Sequence, residues 1–228
     1  MQNENEKSSY MDEGINGFVQ RHRKPLFISA GLALLLLIVF IAVLSLMDML
    51  NGKAISVVEE FNSRYESLAP YIAEEYSALD VEELLADLET FAKKKSGYAG
   101  GRAWSIIGNI YGKQEDWAGA EAAWTAAAGA AGKTYLAPFA WFNAGTAAEE
   151  QGKTEQAIEY YTKSLSPDFP AAPRAQFSIG RLRENQDNNA AAIEAYRAVI
   201  SGWSRDLVWP SLARSRIIAL ETMNGSAE

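Results

Sequence analysis

The chain has 228 residues and 25.0 kDa, of which 48% are hydrophobic and 22% charged, with a mean hydropathy of −0.15 and a net charge of −8. With no cysteine it excludes disulfides, iron–sulfur clusters and thiolate zinc sites. Its one histidine, His22, lies near the N-terminus, so nothing downstream can run a Ser-His-Asp or histidine–metal mechanism.

Residues 1–24 read as a short tail, whose first 20 residues are polar, lack a helical period and are expected to be disordered. Residues 25–47 read as a membrane-spanning signal-anchor helix. Between Leu26 and Met47 there is no charge, and only Ser29 and Ser45 are polar. As a helix this run covers roughly 33 Å, against a hydrocarbon core of about 30 Å. It is too long for a cleaved signal, and Met47 stands where a cleavage site needs a small residue. Arg21, His22, Arg23 and Lys24 precede it, while Asp48 follows and the next cation is Lys53. That asymmetry keeps the N-terminus cytoplasmic and places the rest across the membrane. Four of the 21 cations and four of the 29 anions precede the span, so the whole net charge of −8 follows it. An acidic domain argues against nucleic acid and against anionic lipid as partners.

Residues 48–79 form a linker or first helix, with an apolar stripe at Ile55, Val58, Phe61, Tyr65, Leu68, Ile72, Tyr76 and Leu79. Pro70 must kink or break it. A coiled-coil stalk would show the same stripe, and packing within the following domain is the favoured reading. Asp80, with Glu83 three residues on, has the pattern of an N-cap for a helix through Lys95.

Three segments then repeat, near 101–134, 138–171 and 173–206, within a domain spanning 80–228. Each has a glycine (Gly108, Gly145, Gly180), an alanine twelve residues later (Ala120, Ala157, Ala192) and an aromatic four further on (Trp124, Tyr161, Tyr196). Small residues let the two helices of a repeat approach, and the aromatic is expected to fill the gap to the next repeat. Residues 208–223 read as a closing helix with a more polar outer face. Trp104, Ile107, Gly108, Tyr111, Ala120, Trp124 and Ala127 resemble the signature of the tetratricopeptide repeat. The second repeat departs at Ala144 and Ala148, the third at Gln176 and Arg183. The resemblance implies an all-α chain, with an α-solenoid following the single apolar helix.

The family's first helices line a groove that takes extended or helical peptides. Its contact positions fall here on Arg102, Ser105, Asn109 and Lys113, then Phe142, Asn143, Thr146, Glu149 and Glu150, then Arg174, Phe177, Arg181 and Glu184. Arg102, Asn109, Lys113, Phe142, Asn143, Thr146, Glu149, Arg174, Phe177 and Arg181 are the candidate partner-binding set. Asn109, Asn143 and Arg174 fall near positions where some relatives clamp a C-terminal carboxylate, but Ser105 and Ser178 replace the expected lysine and arginine. Residues 127–134 and 147–154 fit a relaxed phosphate-loop pattern, yet neither follows a strand, so no nucleotide site is assigned. No catalytic, cofactor or metal residue is assigned either, and the chain is not expected to be an enzyme. The layout resembles bacterial anchored repeat proteins of the YfgM type, which are associated with the secretion translocon and periplasmic chaperones. It implies a single-pass protein of the bacterial inner membrane whose periplasmic repeat domain is a protein-interaction scaffold. The alternatives are a scaffold of cell-envelope assembly or division, and a carboxylate hydrolase of cell-wall glycan.

Overall fold

The computed structural model describes residues 2–74 and 77–225, so Tyr76 of the apolar stripe lies outside the described residues. The first helix, α1 (Gln2–Leu68), takes in the charge-free run and Pro25. It also takes in residues 2–20, where the sequence predicts a disordered tail. Extending a formed helix adds a hydrogen bond for each residue fixed, whereas starting one is costly. No proline lies in that segment to stop the extension. The chain divides into two compact units, Met1–Lys53 and Ala54–Glu228. In the first, every apolar side chain from Phe27 to Leu50 is exposed to its surroundings. This is the one helix among the described residues that is long and apolar enough to cross a membrane.

The second unit is entirely helical among the described residues. The last turns of α1 belong to its core: Ala54 and Val58 are buried with Val81, Leu84 and Leu88. After Leu68 the chain turns through a short 3-10 segment, Ala69–Tyr71, at Pro70 as its sequence requires. The next helix, α2 (Ala78–Ala92), starts earlier and stops earlier than the sequence suggests. Asp80 therefore lies in its first turn and is not its cap. The buried hydroxyl of Ser77 is committed to the preceding loop, donating to the carbonyls of Tyr71 and Glu74.

Three helix pairs follow: α3 (Gly97–Lys113) with α4 (Trp117–Ala131), α5 (Leu136–Glu150) with α6 (Thr154–Ser164), and α7 (Ala172–Glu184) with α8 (Asn189–Gly202). A last helix, α9 (Trp209–Gly225), packs on α8. Each pair is joined by the same turn. Seven residues after each repeat glycine comes a left-handed residue: Glu115 (φ 58°), Gly152 (φ 72°) and Asp187 (φ 57°). The following amide then donates to the carbonyl five residues back, Asp116 to Tyr111 at 2.9 Å, Lys153 to Ala148 at 2.9 Å and Asn188 to Arg183 at 3.0 Å. Residues 147–154 are one of these turns, and residues 127–134 are the end of α4 and the loop after it.

The repeat glycines are sites of close approach. A Cβ on Gly108 would lie 2.7 Å from the Trp124 ring, on Gly145 2.8 Å from Tyr161, and on Gly180 2.6 Å from Tyr196. The aromatic thus sits first on the glycine of its own repeat, and Trp124 also reaches the next repeat. Ring contacts across the interfaces pair Trp124 with Phe139 at 5.6 Å and Phe177 with Trp209 at 5.4 Å. The outer face of α9 is mixed rather than polar, since Leu212 and Ile218 are exposed among Ser211, Arg214 and Ser215.

Candidate functional site

The first helix of each pair carries the sequence-predicted residues, and the structure sorts them into separate groups. Arg102 is half-buried near the start of α3, and its Nη2 donates to Asn62 Oδ1 of α1 at 2.7 Å. Further along, Asn109 and Lys113 meet Asn143 and Thr146 of α5 around a cavity of about 220 Å³ that also has Tyr65 and Trp124 in its wall. Its lining holds no carboxylate.

Phe142 is placed differently from expectation. It is 8% exposed and packs on Tyr161 and Phe169, with the Arg174 guanidinium 5.1 Å from its ring centre. Its role is in the wall between repeats, because an apolar ring on this face, packed on Phe169 and under Arg174 of the next repeat, is drawn into the neighbouring core. Ser105 is likewise buried, donating to the Gly101 carbonyl at 2.8 Å. Arg174 does not line the cavity that holds Asn109 and Asn143, so these three do not converge there.

Glu149 accepts from Tyr161 Oη at 3.0 Å and from Arg181 Nη2 at 2.5 Å. One repeat later, Glu184 accepts from Tyr196 Oη at 2.8 Å and pairs with Arg216 of α9. Phe177 and Arg181 line a second cavity, of about 300 Å³, with Glu184, Tyr196 and Arg216. Burial pushes the Glu184 carboxyl up, but the hydrogen bonds from Arg216 and Tyr196 outweigh it and hold it below the ordinary glutamate range. Burial, partly offset by a hydrogen bond with Thr146, raises the Tyr161 hydroxyl to about 12. It is a donor at any physiological pH.

This Tyr–Glu–Arg cluster went unread in the sequence, though its signal is present. The glutamate falls four residues after the repeat glycine and the tyrosine sixteen after it. The first repeat has Gly112, Trp124 and Thr146 in the corresponding places, which is why its cavity carries no acid. A second missed group centres on Glu121, 7% exposed, which accepts from Lys153, Gln151 and Tyr160. Glu149 and Glu184 are each tied to an arginine, and among the described residues no group of three or more His, Cys, Asp or Glu could hold a metal ion.

Family models for the tetratricopeptide repeat match residues 107–168 and residues 173–201. A relative from Treponema pallidum (strain Nichols), described as a TPR repeat-containing protein, is 35% identical over 148 residues, or 64% of this chain. The chain spans 62% of the length of that relative. Two crystal structures of nearly identical TPR-like repeats, assigned to a kinesin light chain of Podosopora anserina, superpose with TM-scores of 0.53 and 0.54. Both are 12% identical and cover 74% of this chain, with 89% and 88% of their own chains matched. Residues 107–168 and 173–201 thus match tetratricopeptide repeats, and the helices of this unit have the fold of an α-solenoid.

Proposed function

We propose that the protein is a membrane-anchored interaction scaffold, held by the apolar part of α1 and binding other proteins through the first helices of its repeats. The observation that carries this reading is the presence, in one chain, of a charge-free helical run of 22 residues, exposed from Phe27 on, and a repeat array whose first helices bring Asn109, Lys113, Asn143 and Thr146 around an open cavity. An uncharged, exposed run of this length is costly in water and favourable in lipid. The cationic flank at Arg21–Lys24 supports a cytoplasmic N-terminus and an extracytoplasmic repeat unit. Association with a secretion translocon and its chaperones is the finer form of this proposal, and its support is the order of tail, apolar helix and repeats alone.

The experiment is a pull-down of the full chain from carbonate-washed membranes, with protease added to either face. The anchor predicts that the chain stays in the washed membrane and that the repeat unit is cut only from outside. Lys113→Glu with Asn109→Ala is the variant for the first-helix face, because both positions are accessible; Phe142→Ala would instead hollow the core. Loss of partners in that variant supports the reading, and an unchanged set of partners overturns it. Recovered translocon subunits support the finer form, while envelope-assembly proteins in their place favour a scaffold of that process.

A further inference from the structure

A cleft of about 850 Å³, much larger than either cavity above, lies where α3, α5 and α7 begin. Tyr98 and Arg102 form one side, and the loops before α5 and α7 form the other. Two buried side-chain polar atoms lack a hydrogen-bond partner among the described residues, Arg102 Nε and Thr134 Oγ1, and both belong to residues of this cleft. Buried donors left unmade are costly, so their coincidence at one place marks where a partner group is missing. Lys133 stands exposed beside them and takes part in none of the ion pairs among the described residues. Both α5 and α7 start on the cleft, and backbone carbonyls close their first turns: the Ala137 amide donates to Thr134 at 3.1 Å and the Ala172 amide to Phe169 at 3.0 Å, while Pro138 and Pro173 have no N–H. The apolar surface is aromatic: Tyr135 is 72% exposed and Phe139 39%.

We propose that this cleft docks an acidic–aromatic peptide segment of a partner protein. A carboxylate of the segment is received by Arg102 and Lys133, and its aromatic side chain lies on Tyr135 and Phe139. Charge decides the sign. Two cations, Arg102 and Lys133, face one anion, Asp168, so an acidic guest is favoured over a basic one. Exposure decides the size. A small ligand is normally buried over most of its surface, whereas a ring as exposed as Tyr135 makes an outer wall that only a longer segment would cover. This goes beyond the scaffold reading, since it adds a second surface and names the chemistry of its partner.

The test uses the full chain in detergent on an array of immobilised eight-residue peptides, blocked at both ends, with a central tryptophan flanked by aspartate, serine or lysine. Aspartate-flanked peptides are expected to retain the protein about tenfold better than lysine-flanked ones. Lys133→Glu and Tyr135→Ser are each expected to lower that retention about five- to tenfold with an unchanged helical circular-dichroism spectrum, since both side chains are exposed. Equal retention of acidic and basic peptides, or of the two variants and the parent, overturns the proposal. The variant Lys113→Glu with Asn109→Ala is expected to keep peptide binding. If it alone abolishes binding, acidic segments dock on the first-helix face and this inference fails while the scaffold reading stands.

Discussion

Gly180 lies inside α7, where glycine ordinarily weakens a helix by about 1 kcal/mol relative to alanine. At this position the sign reverses. An alanine Cβ would lie 2.6 Å from Tyr196 Cε1, and that ring is fully buried with its hydroxyl held by Glu184. It cannot swing aside without breaking the cluster. Gly180→Ala is therefore expected to cost about 1–3 kcal/mol. Gly129 in α4 is the control, because it is exposed and a Cβ there meets nothing within 4 Å. Gly129→Ala should be neutral or stabilise by up to about 1 kcal/mol. Urea unfolding of the two variants checks the pair, and a stable Gly180→Ala protein would refute the contact. The equal spacing of glycine and aromatic was legible in the sequence, but which two helices they join was not. Spacing gives a position along each helix and leaves open which neighbour it faces.

Along the elements, the helices of the repeats and the break after Leu68 could be read from periodicity and from Pro70, since both depend on residues adjacent in the chain. The start of α2 could not, because it is set by Ser77 bonding across a loop to Tyr71. The candidate site shows the same division. Lys113 and Asn143 are found from the repeat pattern, whereas the cleft at Arg102 needs three helix starts brought together in space. The end of α1 is the clearest element-level case. Its stripe fitted either a stalk or a packed helix, and Val58, fully buried against α2 and α3, shows that it packs. Val58→Ala should destabilise the repeat unit by about 2 kcal/mol through lost burial and the space left behind. A free stalk would lose nothing, so an unchanged urea midpoint would contradict this packing.

At the scale of the repeat array, stability is the sum of what each repeat contributes and what its interfaces contribute. Ion pairs cross each of those interfaces: Glu121–Lys153 from the first repeat to the second, Glu149–Arg181 and Glu155–Arg183 from the second to the third, and Glu184–Arg216 from the third to α9. All depend on a charged carboxylate. Burial pushes the Glu121 carboxyl up, but the Lys153 ammonium, the Gln151 amide and the Tyr160 hydroxyl together hold it below its ordinary value of 4.5. Glu184 is held below the same value by Arg216 and Tyr196 against its own burial. A carboxyl whose value is lowered by folding adds stability above its unfolded value and loses it as the pH falls through the folded one. The interfaces should thus be intact at pH 7 and loosen progressively below pH 4.5, at the first and last interfaces together. Thermal unfolding is expected to be a single sharp transition at pH 7, and lower and broader in acid as neighbouring repeats uncouple. Glu121→Gln combined with Glu184→Gln should lower the Tm at pH 7 and flatten its fall between pH 5 and pH 3, because two of the carboxylates whose protonation weakens the parent are gone. A fall just as steep in the variant would refute a role for Glu121 and Glu184 in the acid sensitivity and place it elsewhere.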